Sequence, residues 1–513
     1  IARIKSVDIS VRTRILSNFR DLWFARKDKE FVTNTSHHIT ETIWSIYSEQ
    51  SKARNGLVLP FGMDHPVVNL FSQIFHPEAK GEKAPLQSAK AICRHLIDAI
   101  LEAYRVEGQD EELGSRQLLK CLITLQVLLI AEPALCLSGS NRHYFIDCLL
   151  PYLHSDEKSG TSMEKKKAEA EQMACILSII GCNLESINVL SDSVISVMTS
   201  TLQRIISAHD YLSVVAKAVE LICKVCKSSE MTSQIVRKVG SSLLDGLRDA
   251  LDVLNSTESL NPKQSAHLRR RLFVLGHLWR NGSSILLNNG EGDNALIQAV
   301  LETVIAWQNI GSPQIKVEAL RALGMIMNGK PEIALRPNAR GAIKDSLKVE
   351  SNPVMQVCAL RALTELMCNE EDFVKQQQKS NQNQTKRAKA DMPLDSVCSE
   401  GELSVAAGVI RFFWDISILP LSIHVAAINN DTSNSSKVRI SVLELFESVL
   451  RQGLVAPWSA VPSLVAICFD RDPIVQEQAC RILRMYIIEK RSDFFESKVI
   501  DALNTAFSFA FSV

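Results

Sequence analysis

Apolar residues fall at every fourth position in Ser312 to Met327, SPQIKVEALRALGMIM, where Ile315, Ala319 and Leu323 line one stripe of an α-helix. A polar residue and Pro313 open the stretch, and in a first helical turn the missing N–H of proline has no bond to lose. Forty positions later the pattern returns as SNPVMQVCALRALTELM, with Pro353, Met355, Ala359 and Leu363 in the same slots. A third copy begins at Pro473, with Val475, Ala479 and Leu483. Weaker copies sit at Asp8, Val11, Ile15 and Phe19 near the start and at Ser435, Val438, Val442 and Phe446 near the end. Each copy reads as one helix whose small central residue lets a neighbouring helix come close.

Helical pairs recurring at about 40 residues are the mark of a HEAT or armadillo-type solenoid. The expected fold is therefore all-α: a HEAT/armadillo-type α-solenoid wound into a curved superhelix, with no strands. Residues 1–50 read as HEAT-like helices, Val11 to Phe24 and about Ile39 to Tyr47, joined by the charged link ARKDKE. Residues 51–83 form an irregular Gly/Pro-rich connection around a short helix, Val67 to Phe75. Residues 84–371 make a HEAT-repeat array, with helices at Leu86 to Tyr104, Ser115 to Ile130, Arg142 to Leu153, Gln264 to Arg280 and Ala295 to Trp307. Residues 372–402, which include KQQQKSNQNQTKRAKADMP, have no periodicity and read as a polar, disordered insertion. Residues 403–513 resume as C-terminal HEAT repeats.

Charge sharpens this picture by being absent in bulk. The 57 basic and 57 acidic residues cancel, so any charged surface is local. Thirteen cysteines lie scattered in apolar helical stretches, an odd number without framework spacing. They read as reduced thiols packed as small hydrophobes in a nuclear or cytosolic protein. No membrane partner is expected, since the longest apolar candidate, Val405 to Ile428, is interrupted by Arg411, Asp415 and Pro420. The chain begins at Ile1 without a signal peptide and enters a repeat-like unit almost at once, which reads as an excerpt of a longer protein.

Chemical motifs are sparse. Cys223 and Cys226 form a lone C-x-x-C inside a helical stripe, two ligands short of a tetrahedral zinc site, and read as core thiols. Gly290, Gly292 and Ala295 mimic a dinucleotide fingerprint, but helix rather than strand precedes them and Glu291 and Asp293 would repel a pyrophosphate. His37 and His38 sit in a polar helix entry, and Glu370 and Glu371 look like solvated charge at a helix end. No catalytic, cofactor or metal set emerges, so neither an enzyme nor a small-molecule substrate is expected. Candidate DNA contacts are Arg269, Arg270, Arg271 and Arg280, together with Lys386, Arg387 and Lys389 in the insertion. Arg336, Arg340, Lys344 and Lys348 make a further basic cluster. Phosphate binding needs basic side chains converging on a groove; the alternative for each cluster is an ordinary solvated face.

Particular segments go beyond periodicity. Arg451 to Asp470, RQGLVAPWSAVPSLVAICFD, resembles the end of the HEAT array of the cohesin loader (Nipped-B-like) family, matching its pattern at Gln452, Gly453, Leu454, Pro457, Val461, Pro462, Leu464, Asp470 and Pro473. Arg270 to Arg280, RRLFVLGHLWR, is similar to that family's LRSLFTVGALCRH helix, and Asp21 to Phe24, DLWF, to its KLWF. The resemblance implies a hook-shaped, non-enzymatic scaffold in the nucleus. It would bind the cohesin ATPase heads and kleisin and double-stranded DNA, stimulate the ATPase, and load cohesin on chromatin for sister chromatid cohesion. A smaller loader subunit would bind an N-terminal segment not present here. The competing readings are a karyopherin-like transport or trafficking adaptor and a phosphatase-type scaffold subunit, which share the period.

Overall fold

The computed structural model describes residues 9–53, 65–75, 84–105, 111–136, 144–154, 163–186, 190–227, 230–257, 261–287, 292–385, 405–424, 432–490 and 492–512. Every element among them is helical. The chain divides into two compact units, Ile1–Ile235 and Val236–Val513.

In the first unit the helices are α1 (Ile9–Phe24), α2 (Lys29–Ala53), α3 (Pro66–Phe75), α4 (Ala84–Arg105), α5 (Glu111–Ala131), α6 (Tyr144–Leu149), α7 (Met163–Ser186), α8 (Asp192–Ala208) and α9 (Leu212–Cys226). One layer stacks α2, α5, α7 and α9 in series, and α4, α6 and α8 back it from the other side. α2 begins at Lys29, well before the helix expected near Ile39, because its polar residues serve the helix. Asp28 Oδ1 accepts the Phe31 N–H at 2.9 Å, a side-chain cap, and Thr33 Oγ1 donates to the Lys29 carbonyl at 2.9 Å. Thr35, Ser36 and Thr40 are buried along with Val32, Ile39 and Ile43. Of the charged link, Lys29 and Glu30 thus belong to the helix and Asp28 caps it, while 25–27 make the turn.

The boundary between units falls within α10 (Glu230–Thr257). The second unit continues with α11 (Pro262–Leu286), α12 (Gly292–Ile310), α13 (Pro313–Gly329), α14 (Pro337–Ser346), α15 (Pro353–Thr385), α16 (Val405–Phe413), α17 (Leu419–His424), α18 (Thr432–Gln452), α19 (Pro457–Ile467), α20 (Pro473–Leu483) and α21 (Ser492–Ser512). Here α11, α13, α15, α18 and α20 stack in series, while α12 and α14, then α16, α17, α19 and α21, form the second layer. α15 extends through Thr385, and 386–404 lie outside the described residues.

The sequence copies correspond to the same corner built repeatedly. Asn352 Oδ1 accepts the Val354 N–H at 2.9 Å and Asp472 Oδ1 accepts the Ile474 N–H at 3.0 Å, capping helices whose first residue is proline. Four residues after Asn352 or Asp472 a glutamine reaches back to the end of the preceding helix or turn. Gln356 Nε2 donates to the Lys348 carbonyl at 2.8 Å, and Gln476 Nε2 to the Cys468 carbonyl at 2.9 Å. Ala319, Ala359 and Ala479 are fully buried, as their central slot requires. Neighbouring helices also come close through glycines: a Cβ on Gly324 would lie 2.6 Å from the Ala362 Cβ, and one on Gly276 would lie 2.9 Å from the Ala322 Cα.

Among the described residues, two helical stretches are long and apolar enough to cross a membrane, Gly114–Ala131 and Val405–Ile423, but 67% and 56% of these windows are buried within the protein. The second contains a π-helical segment, Trp414–Ile418, in which the Leu419 N–H bonds to the Trp414 carbonyl. Pro420 accounts for it: its ring would clash with the carbonyl four residues back, and the wider turn relieves the clash.

Candidate interaction surface

α11 carries four of the candidate basic residues, and helical geometry spreads them over different faces. Arg269 Nη1 donates to Gln314 Oε1 of α13 at 2.9 Å. Arg280 Nη1 lies 3.2 Å from Glu365 Oε2 of α15, which also accepts from Asn328 Nδ2 at 3.1 Å. Arg271 points the other way and donates to the Gly246 carbonyl of α10 at 2.7 Å. Arg269 and Arg271 are exposed, and Arg270 and Arg280 half-exposed. The arginines thus clip α11 to its neighbours while keeping much of each guanidinium in water. Such exposed pairs contribute only about 0–1 kcal/mol, so an arriving anion exchanges with them at little cost. Lys386, Arg387 and Lys389 lie outside the described residues.

The remaining basic cluster is similarly engaged. Arg336 Nη2 donates to Asn294 Oδ1 at 2.9 Å, the Arg340 guanidinium sits 4.9 Å over the Phe412 ring, and Lys348 Nζ pairs with Asp345 at 2.7 Å.

The family-like string in the C-terminal part turns out to consist of residues that stop and start helices. Gly453, with φ 69°, ends α18 in a Schellman turn: the Gly453 N–H bonds to the Leu450 carbonyl and the Leu454 N–H to the Val449 carbonyl. Pro457 opens α19 and Pro473 opens α20. Asp470, fully buried, forms an ion pair with Arg439 and accepts the Asp472 N–H at 2.9 Å, fixing the corner between them. Over the Gly453 turn lies an open hollow of about 420 Å³, lined by Arg411, Trp414, Asp415, Leu454, Val455 and Ser459. The Trp414 Nε1–H donates to Ser459 Oγ at 2.9 Å and Arg411 Nε to the Leu454 carbonyl at 3.2 Å.

Cys223 and Cys226 are buried in α9, where burial pushes the first thiol up to about 12 and the second up to about 11. Among the described residues no group of three or more His, Cys, Asp or Glu side chains converges as a metal site. α12 begins at Gly292, and the helix α11 precedes it, while 288–291 lie outside the described residues. His37 and His38 are both on the surface of α2. The sequence reading passed over Arg321 and Arg361, although both stand in the ALRAL strings that define the repeat.

Two stacked layers of short helices with a repeated capped corner define a HEAT-type α-solenoid, a class that recognises partners along extended surfaces. Residues 428–513 match the family described as sister chromatid cohesion C-terminus (Nipped-B). That segment, α18 to α21, is what the chain shares with the family. The fold is similar to the C-terminal fragment of the cohesin loader SCC2 from Chaetomium thermophilum, with 14% identity, a TM-score of 0.67, and 99% of this chain and 33% of that chain covered. This chain therefore spans about a third of that fragment's length. Two Kap121p mutant structures also align, at 12% and 14% identity with TM-scores of 0.31 and 0.24, each covering 94% of this chain and 55% of the other. No curated protein matches the chain by sequence.

Proposed function

We propose that this chain is the HEAT-repeat scaffold portion of a cohesin loader. It binds cohesin, at its ATPase heads and kleisin, and double-stranded DNA in chromatin. It stimulates the cohesin ATPase and thereby promotes loading for sister chromatid cohesion in the nucleus. The smaller loader subunit engages a segment elsewhere in the longer protein. The observation that carries this reading is the family match over 428–513, in which the helix-ending and helix-starting residues of the family string each have a defined structural task. The exposed guanidinium groups of α11 support the DNA part, since they are held by weak surface contacts that phosphates can replace.

The test measures ATP turnover by purified cohesin and duplex DNA with and without this chain, at increasing salt. Stimulation that falls steeply with salt is expected, because phosphate contacts release counterions. Replacing Arg269, Arg270 and Arg271 by glutamate, or separately Lys386, Arg387 and Lys389, should reduce the DNA-dependent part. A chain that leaves turnover unchanged would sink the loader reading, and triple variants with full DNA dependence would remove those residues from the DNA site.

A further inference from the structure

The two best-matched repeats place the same pair of side chains on one surface. In α13 the pair is Val317 and Arg321, and in α15 it is Val357 and Arg361, each one helical turn apart. Both arginines are exposed and both valines half-exposed. The helices are in close contact along this line, with Gly324 against Ala362, and the Arg321 guanidinium lies within electrostatic reach of the Cys358 side chain, one turn before Arg361. Arg321 is further held by Glu318 Oε2 at 3.2 Å. Arg361 has no hydrogen-bond or ion-pair partner among the described residues. On α18, the next helix of the layer, the corresponding slots hold Ile440 and Glu444, so the charge changes sign and the row ends.

We propose that this row binds an extended acidic segment of a partner protein, its carboxylates on Arg321 and Arg361 and its apolar side chains against Val317 and Val357. Packed helices lie about 8–10 Å apart, and an extended segment in the polyproline II conformation advances about 3.1 Å per residue with three residues per turn, so side chains three apart share one face. Successive arginines therefore meet carboxylates about three residues apart, and each guanidinium fork suits a two-point carboxylate contact. A phosphodiester backbone fits this row less well. The valines offer it nothing, whereas the apolar side chains of a peptide bury against them. The row shares no residue with the α11 arginines, although Arg280 reaches Glu365 one turn beyond Arg361, and its test does not depend on the nucleic-acid reading.

The experiment is fluorescence anisotropy of the intact chain with a labelled peptide about fifteen residues long, carrying Asp at every third position with Val and Ala between. Saturable binding is expected, weakened about tenfold or more by Arg361→Glu. Because Arg361 has no partner to lose, that variant should melt like the parent. A peptide with Lys in place of Asp should bind the Arg361→Glu chain better than the parent chain does. Three results would overturn the proposal: no preference for the acidic peptide over the lysine one, equal binding by Arg361→Glu, or binding of a matched DNA duplex but not of the peptide.

Discussion

Glu171 shows how far a single residue can depart from its sequence context. It sits in MEKKKAEAEQMACIL, where it looks like one more solvated charge, yet it is buried in α7 beside Tyr47 of α2 and Cys175. Burial raises its carboxyl pKa, and the Tyr47 hydroxyl only partly opposes that. A carboxyl whose folded pKa is raised costs nothing below its ordinary value, about 4.3, and destabilises the folded state as pH climbs through the raised value. Glu171→Gln keeps an acceptor for Tyr47 and removes the charge. Its stability relative to the parent should be flat in acid and increase toward neutral pH, as measured by urea unfolding at several pH values; a pH-independent difference would contradict this. Nothing near Glu171 in sequence announces its burial, because the residue that defines its surroundings, Tyr47, is on a helix remote in the chain.

Among elements, the repeated corner is the most legible feature. The Pro-opened stripe in the sequence marks α13, α15 and α20, and the polar residue before each proline is the cap where Asn352 and Asp472 stand. What the stripe did not announce is the glutamine that reaches backward, since a lone Gln on a helix carries no sign of its partner. The two instances differ in setting: Gln356 is buried and Gln476 exposed. Gln356→Ala should therefore cost about 1–3 kcal/mol, removing the buried amide that donates to the Lys348 and Val349 carbonyls, while at Gln476 water replaces the amide and the cost should stay below about 1 kcal/mol. Equal losses in chemical denaturation would show that the clip, not its burial, sets the energy. The same limit explains α2, expected to start near Ile39: Thr35 and Ser36 before that point are buried inside the helix, which α4 and α5 cover.

For the whole molecule, the forty-residue period was enough to define the fold class, and the C-terminal string was enough to point to the family that residues 428–513 match. The division into units was not legible, because it falls inside α10, where the helical pattern runs on without a change of composition. The basic clusters were visible as sequence, but their distribution over several faces of α11 follows from packing against α10, α13 and α15. In a stack where each repeat touches only its neighbours, damage should stay local. Gly324→Val, which drives side-chain atoms into Ala362, should cost about 1–3 kcal/mol or more. By hydrogen exchange, amides of α13 and α15 should lose protection while those of α5 and α7 keep theirs; uniform loss across both units would mean that the molecule unfolds as one body.

The glutamine clips have a mechanical corollary. Each joins the first turn of one helix to the chain just before the corner, so when the chain is pulled along its length the corner is loaded before the helix backbone is. A hydrogen bond that closes so short a loop acts as a latch with little travel. Tension would open such latches one at a time, letting the array lengthen in small reversible increments while the helices themselves stay wound.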